Sequence, residues 1–240
     1  MIETVLGADL VEINGATITA LKAGKFTGNP EAKKVTKDGL KVDMIWDMDM
    51  DSPYMIFKGT QLHGKTLSII GYGSIGRRVG RIARAIGMEL LIFDPYVGEI
   101  DVEEFGVRKA LTLKQVMEES DFITCHMKIT EQTKGCISRE MISYMKPTAY
   151  FINASRGAIL DEEALVDALR EKRIAGAAFD VYASEPLASN HPYVTELDNV
   201  VITPHIAGAT DDVLVNHTKQ IVSDVRRFVN GEHLLYQYRY

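Results

Sequence analysis

Four groups of residues in this sequence are of types that do chemistry, and each group follows a short apolar run. The first is the turn Gly71–Gly76, the second holds Arg156, the third holds Asp180 and Glu185, and the fourth holds His205. An arginine can grip a carboxylate through two parallel hydrogen bonds. A histidine exchanges protons near neutral pH. The set therefore indicates a site that binds a small anionic molecule and moves a proton.

The glycine turn, with the sequence Gly-Tyr-Gly-Ser-Ile-Gly, lies between the apolar run Thr66–Ile70 and a helix-like stretch. Gly71 permits a tight turn, Gly73 lets a pyrophosphate approach the backbone, and Gly76 lets the helix pack close to the strand. The helix N-terminus then offers N–H groups and the positive end of its dipole to the phosphates. A strand, G-x-G-x-x-G and a helix in this order predict a dinucleotide site.

Asp94 ends the next apolar run and lies 18 residues after Gly76. This spacing is close to the value of about 20 residues expected for an acid that accepts hydrogen bonds from the adenosine ribose. A carboxylate at this position repels a 2′-phosphate, so the sequence favours NAD over NADP as the cofactor.

The remaining residues each have an ordinary structural alternative. Arg156 could pair with a neighbouring acid, Asp180 and Glu185 could be loop acids, and a lone His205 could be structural. Arg156, Glu185 and His205 nevertheless all follow strand-like runs of one predicted sheet. Hydride transfer to a carbonyl needs a cation that holds the substrate and an acid that protonates the alkoxide. A carboxylate beside the histidine would raise its pKa and fix its tautomer.

The elements that position these residues alternate between strand-like and helix-like segments from about residue 62 onward. This alternation predicts an α/β fold, a Rossmann-type doubly wound parallel sheet with helices on both faces. Ligands bind such sheets at the carboxyl ends of the strands. The predicted strands are Thr66–Ile70, Glu89–Phe93, Asp121–Cys125, Thr148–Ile152, Ile174–Phe179 and Asn199–Ile202, and the predicted helices are Ser74–Ile86, Leu113–Glu119, Ser138–Tyr144, Asp161–Glu171 and Thr210–Val229.

Composition excludes several classes of partner. The 240 residues carry a net charge of −6 without a basic block, which argues against nucleic acid. No apolar stretch has membrane-spanning length and no signal pattern begins the chain, so we expect a cytoplasmic protein without a membrane partner. Cys125 and Cys136 lack zinc spacing and are expected to be reduced, small apolar residues. The acidic run Asp43–Asp51 lacks the pattern of a calcium loop, so no metal site is predicted and a solvated arm is favoured.

Four ordered motifs together resemble the D-isomer-specific 2-hydroxyacid dehydrogenases, which include phosphoglycerate, glyoxylate/hydroxypyruvate and D-lactate dehydrogenases. The resemblance runs from about Leu62 to Gly231. The motifs are Gly71-Tyr-Gly-Ser-Ile-Gly76, Asn153-Ala-Ser-Arg-Gly157, Asp180-Val-Tyr-Ala-Ser-Glu-Pro186 and Thr203-Pro-His-Ile-Ala-Gly208.

The resemblance implies a role for each matching residue. Arg156 would grip the carboxylate and carbonyl of a 2-keto acid, His205 would be the general acid/base, and Glu185 would pair with His205. Asp180 would bind the nicotinamide carboxamide. The implied cofactor-binding residues are Gly71, Gly73, Ser74, Ile75, Gly76, Asp94, Met127, Thr133, Ala154, Ser155, Arg156, Asp180, His205 and Gly208. The implied partners are a small 2-hydroxy or 2-keto acid and a second copy of the chain in a homodimer.

Two departures from the family pattern stand out. Lys128 occupies a position that usually holds a proline beside the cofactor. Family members also carry on the order of 100 further residues ahead of the helix that leads into the cofactor domain. That length corresponds to a domain, because domains typically have well above 50 residues. We therefore expect most of the substrate domain to be absent. The predicted parts are 1–60 as a connecting helix and irregular arm, 61–208 as the NAD-binding domain, and 209–240 as a C-terminal helix and tail.

Two functions remain open from the sequence. The first is an NAD-dependent oxidoreductase that transfers a hydride between nicotinamide and C2 of a small 2-hydroxy or 2-keto acid. The second is a non-catalytic NAD-binding interaction module, similar to the corepressors that share this fold. The complete set of Arg156, Glu185 and His205 favours the enzyme, because a binding module has no need of all three.

Overall fold

A computed structural model of the protein describes residues 59–98 and 107–235. Seven strands form one sheet in the order β3-β2-β1-β4-β5-β6-β7, and every pair is parallel. The order reverses between β1 and β4, which is the switch point at which such sheets bind ligands. The strands are β1 Thr66–Ile70, β2 Glu89–Phe93, β3 Arg108–Lys109, β4 Phe122–Cys125, β5 Tyr150–Asn153, β6 Gly176–Phe179 and β7 Val200–Ile202.

Helices form the crossovers in five of the six connections between strands, the connection that parallel pairing requires, and part of the β2–β3 connection lies outside the described residues. A single 3-10 turn, Gly157–Ile159, follows β5. The helices are α1 Ser74–Ala85, α2 Leu113–Glu119, α3 Arg139–Ser143, α4 Glu162–Arg170, α5 Pro192–Thr195 and α6 Val213–Val229. The predicted fold class is confirmed.

Apolar side chains cover both faces of the sheet in two core clusters. Neighbouring strand residues point to opposite faces, and in β1 Ile69 belongs to one cluster and Ile70 to the other. Ala83 of α1 packs with the first cluster, whereas Val116 of α2 and Leu165 of α4 pack with the second. The apolar strands predicted from sequence are thus buried between layers of helix.

The observed boundaries differ from the predicted ones mainly at the starts of elements. β5 begins at Tyr150 rather than Thr148, because the Ala149 N–H donates to the Lys146 carbonyl in a turn. The last helix begins at Val213 rather than Thr210. The sequence analysis missed β3, α5 and the 3-10 turn, which are two to four residues long and show no periodicity.

The chain divides into two units after Pro204. The first unit contains the sheet. The second contains α6, in which no residue is buried and Ile221 and Phe228 are exposed. The predicted limits of the cofactor domain stay a prediction, and residues 1–58 of the predicted arm lie outside the described residues.

Two expected absences can be compared only with the described part of the chain. There, no helix is long and apolar enough to cross a membrane. The same residues hold no group of three or more side chains that could bind a metal. The acidic run Asp43–Asp51 lies outside them.

Candidate active site

The strand register sets the ends of six strands level along one edge of the sheet. Ile70 pairs with Phe93 on one side and with Cys125 on the other, and Cys125 pairs with Asn153. Farther along, Asn153 pairs with Phe179, and Phe179 with Ile202. The residues that follow these strands therefore share the carboxyl edge, and they are Gly71, Asp94, His126, Ala154, Asp180 and Thr203.

Two glycines of the first motif, Gly71 and Gly76, have no room for a side chain, whereas the third, Gly73, borders open space. Gly71 has a φ of +91°, and a Cβ there would lie 2.8 Å from Met127 N. A Cβ on Gly76 would collide with the Gly71 carbonyl oxygen. A Cβ on Gly73, in contrast, would meet no atom within 4 Å. The backbone at Gly73 is therefore open to a ligand from outside.

Helix α1 begins at Ser74, directly after this open glycine, and has no side-chain cap at its N-terminus. The Arg77 N–H donates to the Gly73 carbonyl at 3.0 Å and closes the first turn. The N–H groups of Ser74, Ile75 and Gly76 precede that bond, and such groups have no acceptor within their own helix. Together with the helix dipole they form a site that fits a diphosphate.

Asp94 is held against the glycine turn by two backbone donors. The Tyr72 N–H donates to Oδ2 of Asp94 at 2.8 Å, and the Tyr96 N–H donates to Oδ1 at 2.8 Å. Each carboxylate oxygen can accept a second hydrogen bond. The side chain is thus oriented beside the diphosphate site and can still accept from a ribose hydroxyl.

Asn153 holds the loop that carries Arg156. Its buried side chain accepts from the Ser155 N–H at 3.0 Å and donates through Nδ2 to the Arg156 carbonyl at 2.9 Å. Arg156 itself is exposed, and its Nη1 donates to the Ser155 carbonyl at 2.7 Å. The guanidinium has five N–H donors, so this bond leaves others for a carboxylate.

Asp180 is buried at the end of β6 and lies in a network of hydroxyl groups. The Thr203 hydroxyl donates to its Oδ1 at 2.5 Å. The Tyr182 hydroxyl donates in turn to the Thr203 carbonyl at 2.7 Å. Burial, with the negative charge of Asp180 beside it, raises the pKa of Tyr182 to about 12, so the phenol stays protonated as a donor.

Gly157 brings the Arg156 loop and the Glu185 loop together. A Cβ on Gly157 would overlap the backbone of Tyr182 and Ala183, so the two segments are in direct contact. In the second segment, Oε1 of the exposed Glu185 accepts from the Tyr182 N–H at 3.1 Å. Arg156 and Glu185, which are 29 residues apart in sequence, thus lie on packed neighbouring loops.

His205 and Gly208 belong to the second unit, so their proximity to Arg156 and Glu185 stays a prediction. Both residues are exposed, and His205 has a φ of +54°, in the left-handed region that non-glycine residues seldom adopt. Such a backbone conformation is typical of functional sites, where the surrounding structure offsets the strain.

The other predicted cofactor residues lie at the same edge of the first unit. Met127 follows the end of β4 and is half-buried, with its sulfur 3.9 Å from the Cys136 thiol. Thr133 donates to the Lys128 carbonyl at 2.7 Å and so closes the turn after Met127. Burial raises the pKa of the Cys125 and Cys136 thiols, which agrees with small apolar residues.

His126 was missed by the sequence analysis. It follows β4 directly, and its N–H donates to the Ile70 carbonyl at 2.7 Å. Its Nε2 lies 3.0 Å from the Thr124 hydroxyl oxygen. Burial lowers the pKa of His126 to about 4, so the ring is neutral at pH 7. The signal that could have found it is the one used for Asp94, a polar residue immediately after a buried strand.

Comparison with known proteins identifies the family. A family model described as D-isomer specific 2-hydroxyacid dehydrogenase, NAD binding domain, matches residues 44–207. The chain belongs to this family. Both the resemblance drawn from the four motifs and the prediction of NAD as cofactor are confirmed by this match.

Two curated relatives illustrate the similarity. A D-3-phosphoglycerate dehydrogenase of Synechocystis is 40% identical over 175 residues, which cover 73% of this chain and 31% of that protein. A glyoxylate reductase of Korarchaeum cryptofilum is 38% identical over 178 residues, which cover 74% of this chain and 53% of that protein. The chain therefore spans about a third of the first relative and about half of the second.

Solved structures of family members agree with the fold. A D-isomer specific 2-hydroxyacid dehydrogenase of Xanthobacter autotrophicus, in complex with NADPH and MES, is 29% identical with a TM-score of 0.64, covering 73% of this chain and 71% of that one. The NAD-complexed enzyme of Lactobacillus delbrueckii is 27% identical with a TM-score of 0.64, covering 74% and 57%.

Proposed function

We propose that this chain is the cofactor-binding part of an NAD-dependent dehydrogenase that acts on a small 2-hydroxy or 2-keto acid. The observation that carries the proposal is the packing of Gly157 against the backbone of Tyr182 and Ala183. This contact joins the Arg156 loop to the Glu185 loop at the same edge of the sheet as the glycine turn. A domain that only binds the dinucleotide has no need of this arginine–carboxylate arrangement.

The residues that would hold the cofactor lie along the carboxyl edge of the sheet. The N–H groups at the start of α1 would bind the diphosphate across the open backbone of Gly73, and Asp94 would accept from the adenosine ribose. Buried Asp180 would accept from the carboxamide. When bound, NAD supplies or accepts the hydride.

The substrate would be held and protonated by this chain's own side chains. Arg156 would bind the carboxylate of the 2-keto acid and polarise its carbonyl oxygen. His205 would donate the proton to the alkoxide that forms at C2 and would take it back in the reverse direction. Glu185 would pair with the imidazolium and stabilise it.

The remaining expectations complete the proposal. The partners would be the acid substrate and a second copy of the chain in a homodimer, and the location would be cytoplasmic. Light scattering of the purified chain tests the dimer, which would have twice the mass of 26.7 kDa. A mass of one chain at micromolar concentration would contradict it.

Calorimetric titration of the chain with NADH and with NADPH is the first test of the function. Preferential binding of NADH is expected because Asp94 repels a 2′-phosphate. Binding of neither cofactor would overturn the proposal, and tighter binding of NADPH would overturn the role of Asp94. An NADH affinity that is retained without turnover on any 2-keto acid, together with assembly that depends on NADH, would favour the interaction module instead.

A substitution at Arg156 separates substrate binding from cofactor binding. Arg156→Gln is expected to weaken the binding of oxalate, a dicarboxylate mimic of the substrate, to the NADH complex by at least tenfold. NADH affinity should change less than twofold, because only the backbone of Arg156 would line the cofactor. Arg173→Gln is the matched control, because Arg173 is exposed and lies away from the site. Its Nε pairs with Oε2 of Glu171 at a distance of 2.6 Å. Equal loss in both variants would count against the role of Arg156.

A further inference from the structure

Lys128 lies two residues beyond the point at which β4 meets the glycine turn. Cys125 is level with Ile70 in the sheet, and the His126 N–H donates to the Ile70 carbonyl. The contact continues past the strands, since a Cβ on Gly71 would lie 2.8 Å from Met127 N. Lys128 is the next residue and is exposed. The chain thus carries a cation at the switch point of the sheet.

The backbone at Lys128 is fixed from both sides. On one side it continues from the hydrogen-bonded end of β4. On the other side, the Thr133 hydroxyl donates to the Lys128 carbonyl at 2.7 Å, and the Thr130 N–H donates to the Thr133 hydroxyl oxygen at 2.7 Å. A side chain on a fixed backbone loses less freedom on binding, so its charge can contribute to affinity.

The position of Lys128 suits a phosphate of the cofactor. A lysine ammonium lies at the end of a four-carbon stem about 6 Å from its Cα and binds phosphate as a point charge. The start of α1 offers backbone N–H groups and has no side-chain cap. The glycine turn at this helix start, Gly71–Gly76, contains no charged side chain. A neighbouring cation would complement the two negative charges of a diphosphate.

We propose that Lys128 binds the diphosphate of NAD(H) and thereby strengthens the cofactor affinity of this chain. The inference rests on the proposed function, because it assumes that the dinucleotide occupies the glycine turn. It goes beyond the family pattern, in which a proline at this position can supply no charge.

The test compares two lysines of the same turn. Lys128→Met removes the charge and keeps an unbranched side chain of similar length and the backbone N–H. Lys134→Met is the matched control, since Lys134 is also exposed and ends the same turn. Dissociation constants for NADH, NADPH and adenosine are measured by titration at low and high salt for the wild-type chain and both variants.

We expect Lys128→Met to weaken NADH binding about three- to tenfold at low salt, and less at high salt, because exposed charge pairs are screened. NADPH should lose the same factor, and adenosine, which has no phosphate, should be unaffected. Lys134→Met should bind all three as the wild type does.

The other possible outcomes distinguish a failure of this inference from a failure of the proposed function. Unchanged NADH binding in Lys128→Met, or an equal loss in both variants, would overturn the role of Lys128 and leave the proposed function intact. A loss confined to NADPH would place the lysine at the 2′-phosphate and would also overturn the inference. A wild-type chain that binds no NADH would overturn the proposed function and this inference with it.

Discussion

Asp180 shows how single residues adapt a buried strand end to polar chemistry. The carboxylate is buried, which is costly unless its oxygens are hydrogen-bonded. The Thr203 hydroxyl donates to it, and the Tyr182 hydroxyl donates to the Thr203 carbonyl. These bonds tie the end of β6 to the residue that follows β7. A negative acceptor is thereby kept in position at the edge where the nicotinamide is proposed to bind.

Replacing Thr203 by valine tests this network. Thr203→Val keeps the shape of the side chain but removes the donor to a buried carboxylate. We expect the free energy of unfolding to fall by about 1–3 kcal/mol in urea denaturation. Thr195→Val is the control, because its hydroxyl bonds the His191 carbonyl at an exposed site, and its cost should stay below about 0.5 kcal/mol. Similar losses in both variants would contradict the role of Thr203.

His126 predicts a pH dependence of stability. Its pKa is about 4 in the folded chain against 6.5 ordinarily, so on acidification the unfolded chain binds the proton first. The stability that the neutral ring contributes is therefore complete above about pH 6.5 and is lost as the pH falls toward 4. The difference corresponds to about 3 kcal/mol at most.

The measurement is the free energy of unfolding between pH 7 and pH 4. His126→Gln keeps a hydrogen-bonding group near Thr124 but cannot titrate, so its stability should fall less steeply than that of the wild type. His217→Gln, at an exposed position of α6, should follow the wild-type curve. Parallel curves for the wild type and His126→Gln would show that His126 does not carry the effect.

Helix starts differ in a way that bears on cofactor binding. Thr112 caps α2 by accepting from the Gln115 N–H, and Asp161 caps α4 by accepting from the Ala164 N–H at 2.9 Å. Helix α1 is preceded by Gly73, which has no side chain to cap it. The first-turn N–H groups that α2 and α4 satisfy with a capping side chain are therefore open to a ligand in α1.

Two alanine substitutions in the glycine turn should separate folding from binding. A Cβ on Gly73 enters open space, so Gly73→Ala should change stability by less than about 0.5 kcal/mol. It should weaken NADH binding more than tenfold, because the methyl group would occupy the space proposed for the diphosphate. A Cβ on Gly76 meets the Gly71 carbonyl, so Gly76→Ala should cost about 1–3 kcal/mol of stability as well. Thermal unfolding and NADH titration of both variants test the pair. Wild-type NADH affinity in Gly73→Ala would exclude binding of the diphosphate at Gly73.

At the scale of the whole first unit, the parallel sheet gathers residues that are far apart in the chain. Level strand ends place Asp94, the glycine turn, Asn153 and Asp180 along one edge. The 3-10 turn after β5 then packs against the segment after β6 through Gly157. The candidate site is thus a product of the crossovers, because no two of its loops are neighbours in sequence.

Gly157→Ala tests this long-range contact. The added Cβ would overlap the backbone of Tyr182 and Ala183, and backbone atoms cannot rotate away as a flexible side chain can. We expect a loss of about 3 kcal/mol in the free energy of unfolding. Gly208→Ala, which enters open space, should lie within about 0.5 kcal/mol of the wild type. A fully stable Gly157→Ala chain would mean that the two loops can separate without cost.

The sequence by itself determined the elements whose signals are local. Strands β1 and β2 and helix α2 have the predicted limits, because apolar runs and capping residues act within a few positions. The glycine motif was predictable for the same reason, since the positive φ of Gly71 and the contact of Gly76 with the Gly71 carbonyl are constraints within one turn. The fold class and the family followed from the order of these local patterns along the chain.

Only the tertiary structure decided which side chains meet. Register between strands places the Thr203 hydroxyl against Asp180 and the Tyr72 N–H against Asp94, where each donates a hydrogen bond. Packing between loops brings Gly157 against Tyr182. The short strand β3 exists because its neighbour β2 offers a paired edge. Such contacts join residues more than 15 positions apart, and no pattern within a single segment specifies them.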